Sequence, residues 1–127
     1  MSRCLCVHYK RENGKIVKVP DRCRKSDLIR DINHLLIRGW DSEYISGTDT
    51  NITIWARDEY DELDNFDIYS YAVNEILAGN DDFRRELRKE YREFLSDKDI
   101  VGIHISDAFM ECCYGTDEIC DFDEMVS

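Results

Sequence analysis

The sequence has little that would mark a domain boundary or a membrane segment. Its 127 residues include one proline and six glycines, and they contain no internal repeat or low-complexity tract. No apolar run approaches the roughly 20 residues needed to cross a bilayer, and residues 1–10 lack the uninterrupted hydrophobic segment of a signal peptide. We therefore expect one domain over residues 1–127. We also expect the protein to stay in the cytoplasm, which is the host cytoplasm if a phage encodes it, and to make no contact with a membrane.

Motifs that carry catalysis are also missing. The sequence has no glycine loop that could cradle a phosphate, no His-Glu-x-x-His and no Gly-x-Ser-x-Gly. Cys113 could pair with His8 or His104 as a nucleophile, but nothing in the surrounding sequence marks an activated pair. The carboxylates are too numerous for any two to stand out as an acid and a base. We expect that the protein is not an enzyme.

Basic residues are scarce after residue 40. Residues 1–40 carry ten Lys or Arg against four acids, a net charge of +6, whereas residues 41–127 carry seven against twenty-four, a net charge of −17. A field of this sign repels nucleic acid and lipid headgroups and attracts basic proteins, of which nucleic-acid-binding proteins are common examples. We therefore expect a basic nucleic-acid-binding protein as partner and no direct nucleic acid binding. The alternative is that the acidity serves only solubility.

The hydrophobic pattern predicts strands in the first part of the chain. The β-rich residues 3–9 and 15–19 flank Asn13-Gly14, which favours a tight hairpin turn. Ser26 is a suitable N-cap for a first helix that ends at Gly39. Residues 43–46 and 51–56 alternate around the turn-like residues 47–50, and this pattern predicts a second hairpin.

The second part of the chain indicates two more helices and one or two strands. Apolar spacing over residues 68–77 predicts the second helix, and Asp81 and Asp82 open a third one, on which Arg84, Arg88 and Arg92 share one side. Residues 100–105 are typical of a strand, and residues 108–114 fit a strand or a short helix. The order ββα ββαα β(β or α) predicts a small α+β domain with a mostly antiparallel sheet and about three helices.

Residues 58–67 are the strongest candidate for a binding segment, because they hold six acids in ten residues. Closely spaced carboxylates on a folded scaffold can imitate the charge of a DNA backbone. The predicted partner-binding residues are Asp58, Glu59, Asp61, Glu62, Asp64 and Asp67. Between them, Tyr60, Leu63 and Phe66 could anchor the segment to the core or offer aromatic contacts to a partner. The alternative is a solvated acidic loop.

Six cysteines are many for a chain of this length in a reducing compartment. Two separated groups could meet in a structural zinc site that joins the two ends of the chain, since zinc prefers thiolate ligands. Only one of the adjacent Cys112 and Cys113 is expected to take part, because neighbours on a strand point in opposite directions. The candidate ligands are Cys4, Cys6, Cys23, Cys113 and Cys120. Ordinary buried thiols and disulfides remain alternatives.

Two short segments carry a family resemblance. Asp27-Leu28-Ile29-Arg30-Asp31-Ile32 and Ser46-Gly47-Thr48-Asp49-Thr50-Asn51-Ile52 resemble the opening of small phage-encoded anti-CRISPR proteins that inhibit type II-A Cas9. The resemblance implies an inhibitor that blocks nucleic-acid binding or cleavage by Cas9, through DNA mimicry or allostery. The alternatives are another acidic blocker, such as an antirestriction or nuclease-immunity protein, and a small zinc-stabilised regulatory domain.

Overall fold

The computed structural model describes residues 5–13, 15–19, 24–108 and 110–115, and it describes the side chains of residues 13, 15, 24–108 and 111–115. The predicted zinc ligands Cys4, Cys23 and Cys120 lie outside these residues, and for Cys6 only the backbone is described.

The chain forms an α+β domain, as the sequence predicts. Its strands are β1 (Leu5–Glu12), β2 (Lys15–Val19), β3 (Asn51–Asp58), β4 (Leu63–Ile68), β5 (Lys98–Ser106) and β6 (Met110–Gly115). Its helices are α1 (Lys25–Asn33), which continues into a π-helix (His34–Arg38), α2 (Ser70–Leu77) and α3 (Asp81–Leu95). The last described element is therefore a strand, which decides between the two predicted possibilities.

The six described strands form one antiparallel sheet in the order β2-β1-β6-β5-β3-β4. The hairpin predicted at Asn13 is confirmed, since Glu12 pairs with Lys15 and Asn13 has a φ of 51°. This hairpin and the β3–β4 hairpin occupy opposite ends of the strand order. Strand β6 pairs with β1 on one side and β5 on the other, so it connects the N-terminal hairpin to the rest of the sheet.

One face of the sheet packs against the helices. Alternate residues of β3 and β5 are fully buried, because successive side chains of a strand point to opposite faces. The helices add apolar residues at helical spacing to the same core, and the shared cluster includes Leu28, Ile32, Leu35, Leu36, Ile52, Ile54, Val73, Ile76, Ile103 and Ile105. On the other face of β3, Thr53, Trp55 and Arg57 are partly exposed.

The first helical segment ends where the sequence predicts. Gly39 follows the π-helix with a φ of 70°, a left-handed conformation that glycine adopts at little cost. The guanidinium of Arg84 on α3 donates to the carbonyl oxygens of Leu36 and Ile37, at 3.1 and 2.7 Å. This side chain satisfies carbonyls at the C-terminal end of the helix, which have no partner within it.

The prediction of a hairpin formed by residues 43–46 and 51–56 is wrong. Residues 43–46 form no strand, and β3 pairs with β4 instead. Tyr44 and Ile45 are buried because this loop packs into the core. The backbone N–H of Tyr44 donates to the buried carboxylate of Asp31 at 3.3 Å. The alternating pattern thus reflects a loop that is held against helix α1.

Candidate acidic interaction surface

The turn between β3 and β4 is built around the carboxylate of Asp58. Its Oδ1 atom accepts hydrogen bonds from the backbone N–H groups of Tyr60, at 2.8 Å, and Glu62, at 3.0 Å. Such bonds from a turn N–H to an Asp side chain replace backbone hydrogen bonds that the tight turn cannot make. Asp61 completes the turn with a φ of 64°. Asp58, predicted as a partner-binding residue, is therefore part of the scaffold of the turn.

Asp67 has a similar structural role at the other end of β4. Its carboxylate accepts hydrogen bonds from the Thr53 hydroxyl, at 2.8 Å, and from the Asn65 side-chain amide, at 2.9 Å. Thr53 lies directly opposite Asp67 in the β3–β4 pair. The carboxylate is partly buried by these contacts, so Asp67 stabilises the edge strand.

The four remaining predicted residues form an exposed group, which we call the acidic turn surface: Glu59, Asp61, Glu62 and Asp64. The side chain of Asp61 is 88% exposed, and its nearest cation is Arg57, at 3.8 Å between Nη1 and Oδ1. Asp64 accepts a hydrogen bond from the backbone N–H of Asn65 at 2.8 Å. These carboxylates are presented to solvent by a turn whose backbone is fixed by Asp58.

The sheet register brings further acids to the same end of the molecule. Asp58 pairs with Lys98 and Arg57 pairs with Asp99, so the first residues of β5 lie beside the β3–β4 turn. Residues 57–64 and 97–99 together carry seven carboxylates and two cations, which leaves a net charge of −5. Asp97 and Asp99 could not be assigned to this site from the sequence, because only the pairing of β3 with β5 places them here.

Lys98 neutralises part of this charge. Its ammonium group lies 3.0 Å from the carboxylate of Asp97. The hydrogen bond and positive charge of Lys98 lower the pKa of Asp97. The pKa of Lys98 is raised, chiefly by the hydrogen bond to Asp97 and further by the charges of Asp97, Asp64 and Asp58, although partial desolvation opposes this. Lys98 also donates to the carbonyl oxygen of Phe94, so it is held close to the end of α3.

The apolar residues of the segment divide into an anchor and two exposed groups. Phe66 packs edge-on against Tyr91, at 5.7 Å between ring centroids, and against Phe94 at 5.6 Å. These contacts attach β4 to helix α3. Tyr60 is 78% exposed and Leu63 is 39% exposed. Phe66 therefore anchors the segment to the core, whereas Tyr60 and Leu63 are accessible, and their contact with a partner stays a prediction.

Both cysteines whose side chains the structure describes are oxidised. Cys112 and Cys113 are both disulfide-bonded. Cys112 belongs to the core on the helix face, and its neighbour Cys113 lies on the opposite face, so the two belong to separate disulfides. Within the described residues, no three His, Cys, Asp or Glu side chains are arranged to hold a metal. A zinc site that includes Cys113 requires the reduced chain, and it stays a prediction.

The histidines do not form an activated pair with a free thiol in the described region. His104 lies opposite Cys113 in the β5–β6 pair, but Cys113 is disulfide-bonded. The Nε2 atom of His104 lies 3.4 Å from Oε2 of Glu111 on β6. His34 contacts the ring of Trp40 at 6.3 Å between centroids. The side chain of His8 is not among those described.

Comparison with known proteins adds no relative. The chain matches no family model, no curated protein and no solved structure. Within the described part of the chain, no helix has both the length and the apolar character to cross a membrane.

Proposed function

We propose that this protein is an acidic inhibitor that binds a basic nucleic-acid-binding protein and blocks the access of nucleic acid to it. The observation that carries the proposal is the acidic turn surface. Four exposed carboxylates stand on a turn whose backbone is held by Asp58, and they are joined by Asp97 and Asp99 from β5. A fixed group of charges loses less conformational entropy on binding than a mobile acidic loop does.

The chemistry of this surface suits a protein partner with a Lys- and Arg-rich groove. Carboxylates at this density produce a negative potential that accelerates encounter with a basic surface. Tyr60 stands among them and is 78% exposed. Tyrosine is enriched among the residues that dominate the binding energy of interfaces. The carboxylates thus attract the partner to this surface, and Tyr60 offers it an apolar contact near the centre of the surface.

Cas9 is the first partner to test, because the resemblance of residues 27–32 and 46–52 points to anti-CRISPR proteins. Its nucleic-acid channels are positively charged, which fits an acidic blocker. Residues 27–32 lie in α1 and residues 46–52 lead into β3. Antirestriction and nuclease-immunity proteins act on basic partners as well, so the partner must be identified by experiment.

The deciding experiment compares two variants with the same change of charge. The first, Glu59→Gln/Asp61→Asn/Glu62→Gln/Asp64→Asn, neutralises the acidic turn surface, and Asn suits the left-handed backbone of residue 61. The control, Glu43→Gln/Glu86→Gln/Glu90→Gln/Glu93→Gln, neutralises four exposed acids elsewhere. DNA cleavage by guide-loaded Cas9 is measured with each protein, together with the affinity for Cas9 at several salt concentrations.

We expect the first variant to inhibit and to bind Cas9 at least tenfold more weakly at low salt. Its affinity should also depend less on the salt concentration, because salt screens the charge pairs that drive the association. The control should keep both properties. Equal behaviour of the two variants would place the interface elsewhere. If several type II Cas9 orthologues cleave DNA unchanged at excess protein, Cas9 is excluded as the partner. If the proteins captured from host lysate include no basic nucleic-acid-binding protein, the whole proposed class of partner is excluded.

A further inference from the structure

A cavity of about 390 Å³ lies between α1, the π-helix, α3 and β5. Its apolar lining consists of Ile29, Leu36, Ile37, Leu95 and Ile100. The volume falls within the roughly 300–1,000 Å³ that is typical of pockets for small ligands. Part of the wall is the π-helix, a departure from α-helical geometry that is frequent at functional sites. The cavity is lined by different residues from those of the acidic turn surface.

Tyr91 brings a polar group to this cavity. The residue is 5% exposed and lines the cavity. Its hydroxyl makes no hydrogen bond to any residue that the structure describes, and it is accessible from the cavity although most of the residue is buried. Desolvation raises the pKa of Tyr91 to about 12, so the hydroxyl stays protonated at neutral pH and can donate. A polar atom inside the cavity would satisfy it.

Two arginines supply positive charge to the same cavity. Arg84, Arg88 and Arg92 recur at intervals of four on α3, which places them on one side of the helix. Arg84 is occupied by the carbonyl groups of the π-helix. Arg88 and Arg92 line the cavity, and neither forms an ion pair within the described part of the chain. Arg88 is half-buried and Arg92 is exposed, and both remain available to an anion.

The geometry points to a binding site for a small anionic amphiphile. Its apolar body would lie against Ile29, Leu36 and Ile100, and its headgroup would accept hydrogen bonds from Arg88 and Arg92. Guanidinium groups match both carboxylate and phosphate oxygens, and the Tyr91 hydroxyl adds a neutral donor. Because the molecule as a whole carries a net charge of −11, the affinity has to come from these local contacts. This site is independent of the acidic turn surface and of its partner.

The test is a titration of the full ¹⁵N-labelled chain with decanoate, decyl phosphate and 1-decanol, each below its micelle or solubility limit. We expect saturable shifts of the backbone amides of Ile29, Leu36 and Leu95 with at least one of the two anions. The tighter anion identifies the headgroup. The alcohol should bind at least tenfold more weakly, since it lacks the charge that the arginines recognise.

Variants assign the binding to the named residues. Arg88→Gln/Arg92→Gln should weaken anion binding at least tenfold. The matched control Arg85→Gln/Lys89→Gln removes the same charge from exposed positions of the same helix and should leave the affinity unchanged. Tyr91→Phe removes one hydroxyl and should weaken binding a few-fold. This third variant decides the question if the double arginine variant fails to fold, as judged by circular dichroism.

Three results would overturn the proposal. The first is the absence of saturable shifts with either anion. The second is decanol binding as tight as that of the anions, since the arginines would then have no role. The third is an equal effect of the two double variants. None of them bears on the acidic turn surface, whose own test uses different residues and a different readout.

Discussion

At the scale of single residues, carboxylates that are alike in sequence have different roles in the fold. Asp58 accepts two backbone hydrogen bonds within its turn, at 2.8 and 3.0 Å, whereas the neighbouring Glu59 is exposed. By residue type alone, Asp58 and Glu59 would be expected to have the same role, since both are acids of the same segment. Their difference follows from position, because only a short side chain at the first residue of a turn can reach the N–H groups that follow it.

We predict that Asp58→Ala lowers the free energy of unfolding by roughly 1 kcal/mol, because two backbone N–H groups lose their acceptor in a partly exposed turn. Asp58→Asn should lose less, since its Oδ1 atom can still accept both bonds. Urea denaturation followed by circular dichroism measures the effect. Glu59→Ala is the control and should stay within about 0.5 kcal/mol of the wild type. A loss for Glu59→Ala as large as that for Asp58→Ala would contradict this role of Asp58.

At the scale of elements, the end of the first helical segment depends on a side chain from another helix. Arg84 donates to the carbonyl oxygens of Leu36 and Ile37, and within the π-helix these groups have no following N–H to bond. The contact fixes the π-helix against α3. It thereby also shapes the cavity that both elements line.

We predict that Arg84→Ala destabilises the protein by about 1–3 kcal/mol, because it removes the partner of the Leu36 and Ile37 carbonyl groups, of which the bond to Leu36 is partly buried. Hydrogen exchange should accelerate at the amides of Gly39 and Trp40, which close the π-helix by bonds to Leu35 and His34. Arg85→Ala removes an exposed ion pair with Asp82 and should change stability by less than about 1 kcal/mol. Unchanged exchange at Gly39 in Arg84→Ala would show that the π-helix does not need this cap.

The elements that the sequence predicts well are those with strong local signals. The N-terminal turn at Asn13, the helix end at Gly39 and the start of α3 at Asp81 follow from turn chemistry, left-handed glycine and helix charge. The α+β class follows from the order of such elements.

Strand β4 shows why the rest could not be predicted. Its Asp64, Asn65 and Asp67 disfavour a strand by composition, and pairing with β3 makes it one nevertheless. Conversely, residues 43–46 have a strand-like pattern but are held as a loop by the buried Asp31. Asp99 joins the acidic end only through its register with Arg57. Each of these features depends on contacts between distant parts of the chain.

At the scale of the whole molecule, the charge polarity of the sequence becomes a polarity across the sheet. The N-terminal hairpin of β1 and β2, with Lys10, Arg11, Lys15 and Lys18, forms one end of the strand order. The β3–β4 hairpin, with the acidic turn surface, forms the other end. The proposed partner with a basic groove would therefore be steered to the end that carries the acidic turn surface.

Strand β6 joins these two ends, and it carries two oxidised cysteines. Cys112 and Cys113 are both disulfide-bonded, so Cys113 cannot be a thiolate ligand of zinc in the oxidised chain. In a reducing cytoplasm, which the sequence predicts as the location, the thiol form is favoured instead. The disulfide of Cys113 and the predicted zinc site therefore exclude each other.

We predict that reduction of the oxidised protein with a phosphine lowers its thermal unfolding midpoint by several degrees, because each disulfide contributes roughly 2–4 kcal/mol. Circular dichroism measures the midpoint, and alkylation with a maleimide counts the free thiols before and after reduction. The variant Cys112→Ala/Cys113→Ala is the control, and reduction should shift its midpoint less. An unchanged midpoint in the wild type would contradict a stabilising role of the disulfides.

Zinc added to the reduced wild type decides the metal prediction. A thiolate site would bind the ion and restore the midpoint, whereas ordinary buried thiols would leave the midpoint low.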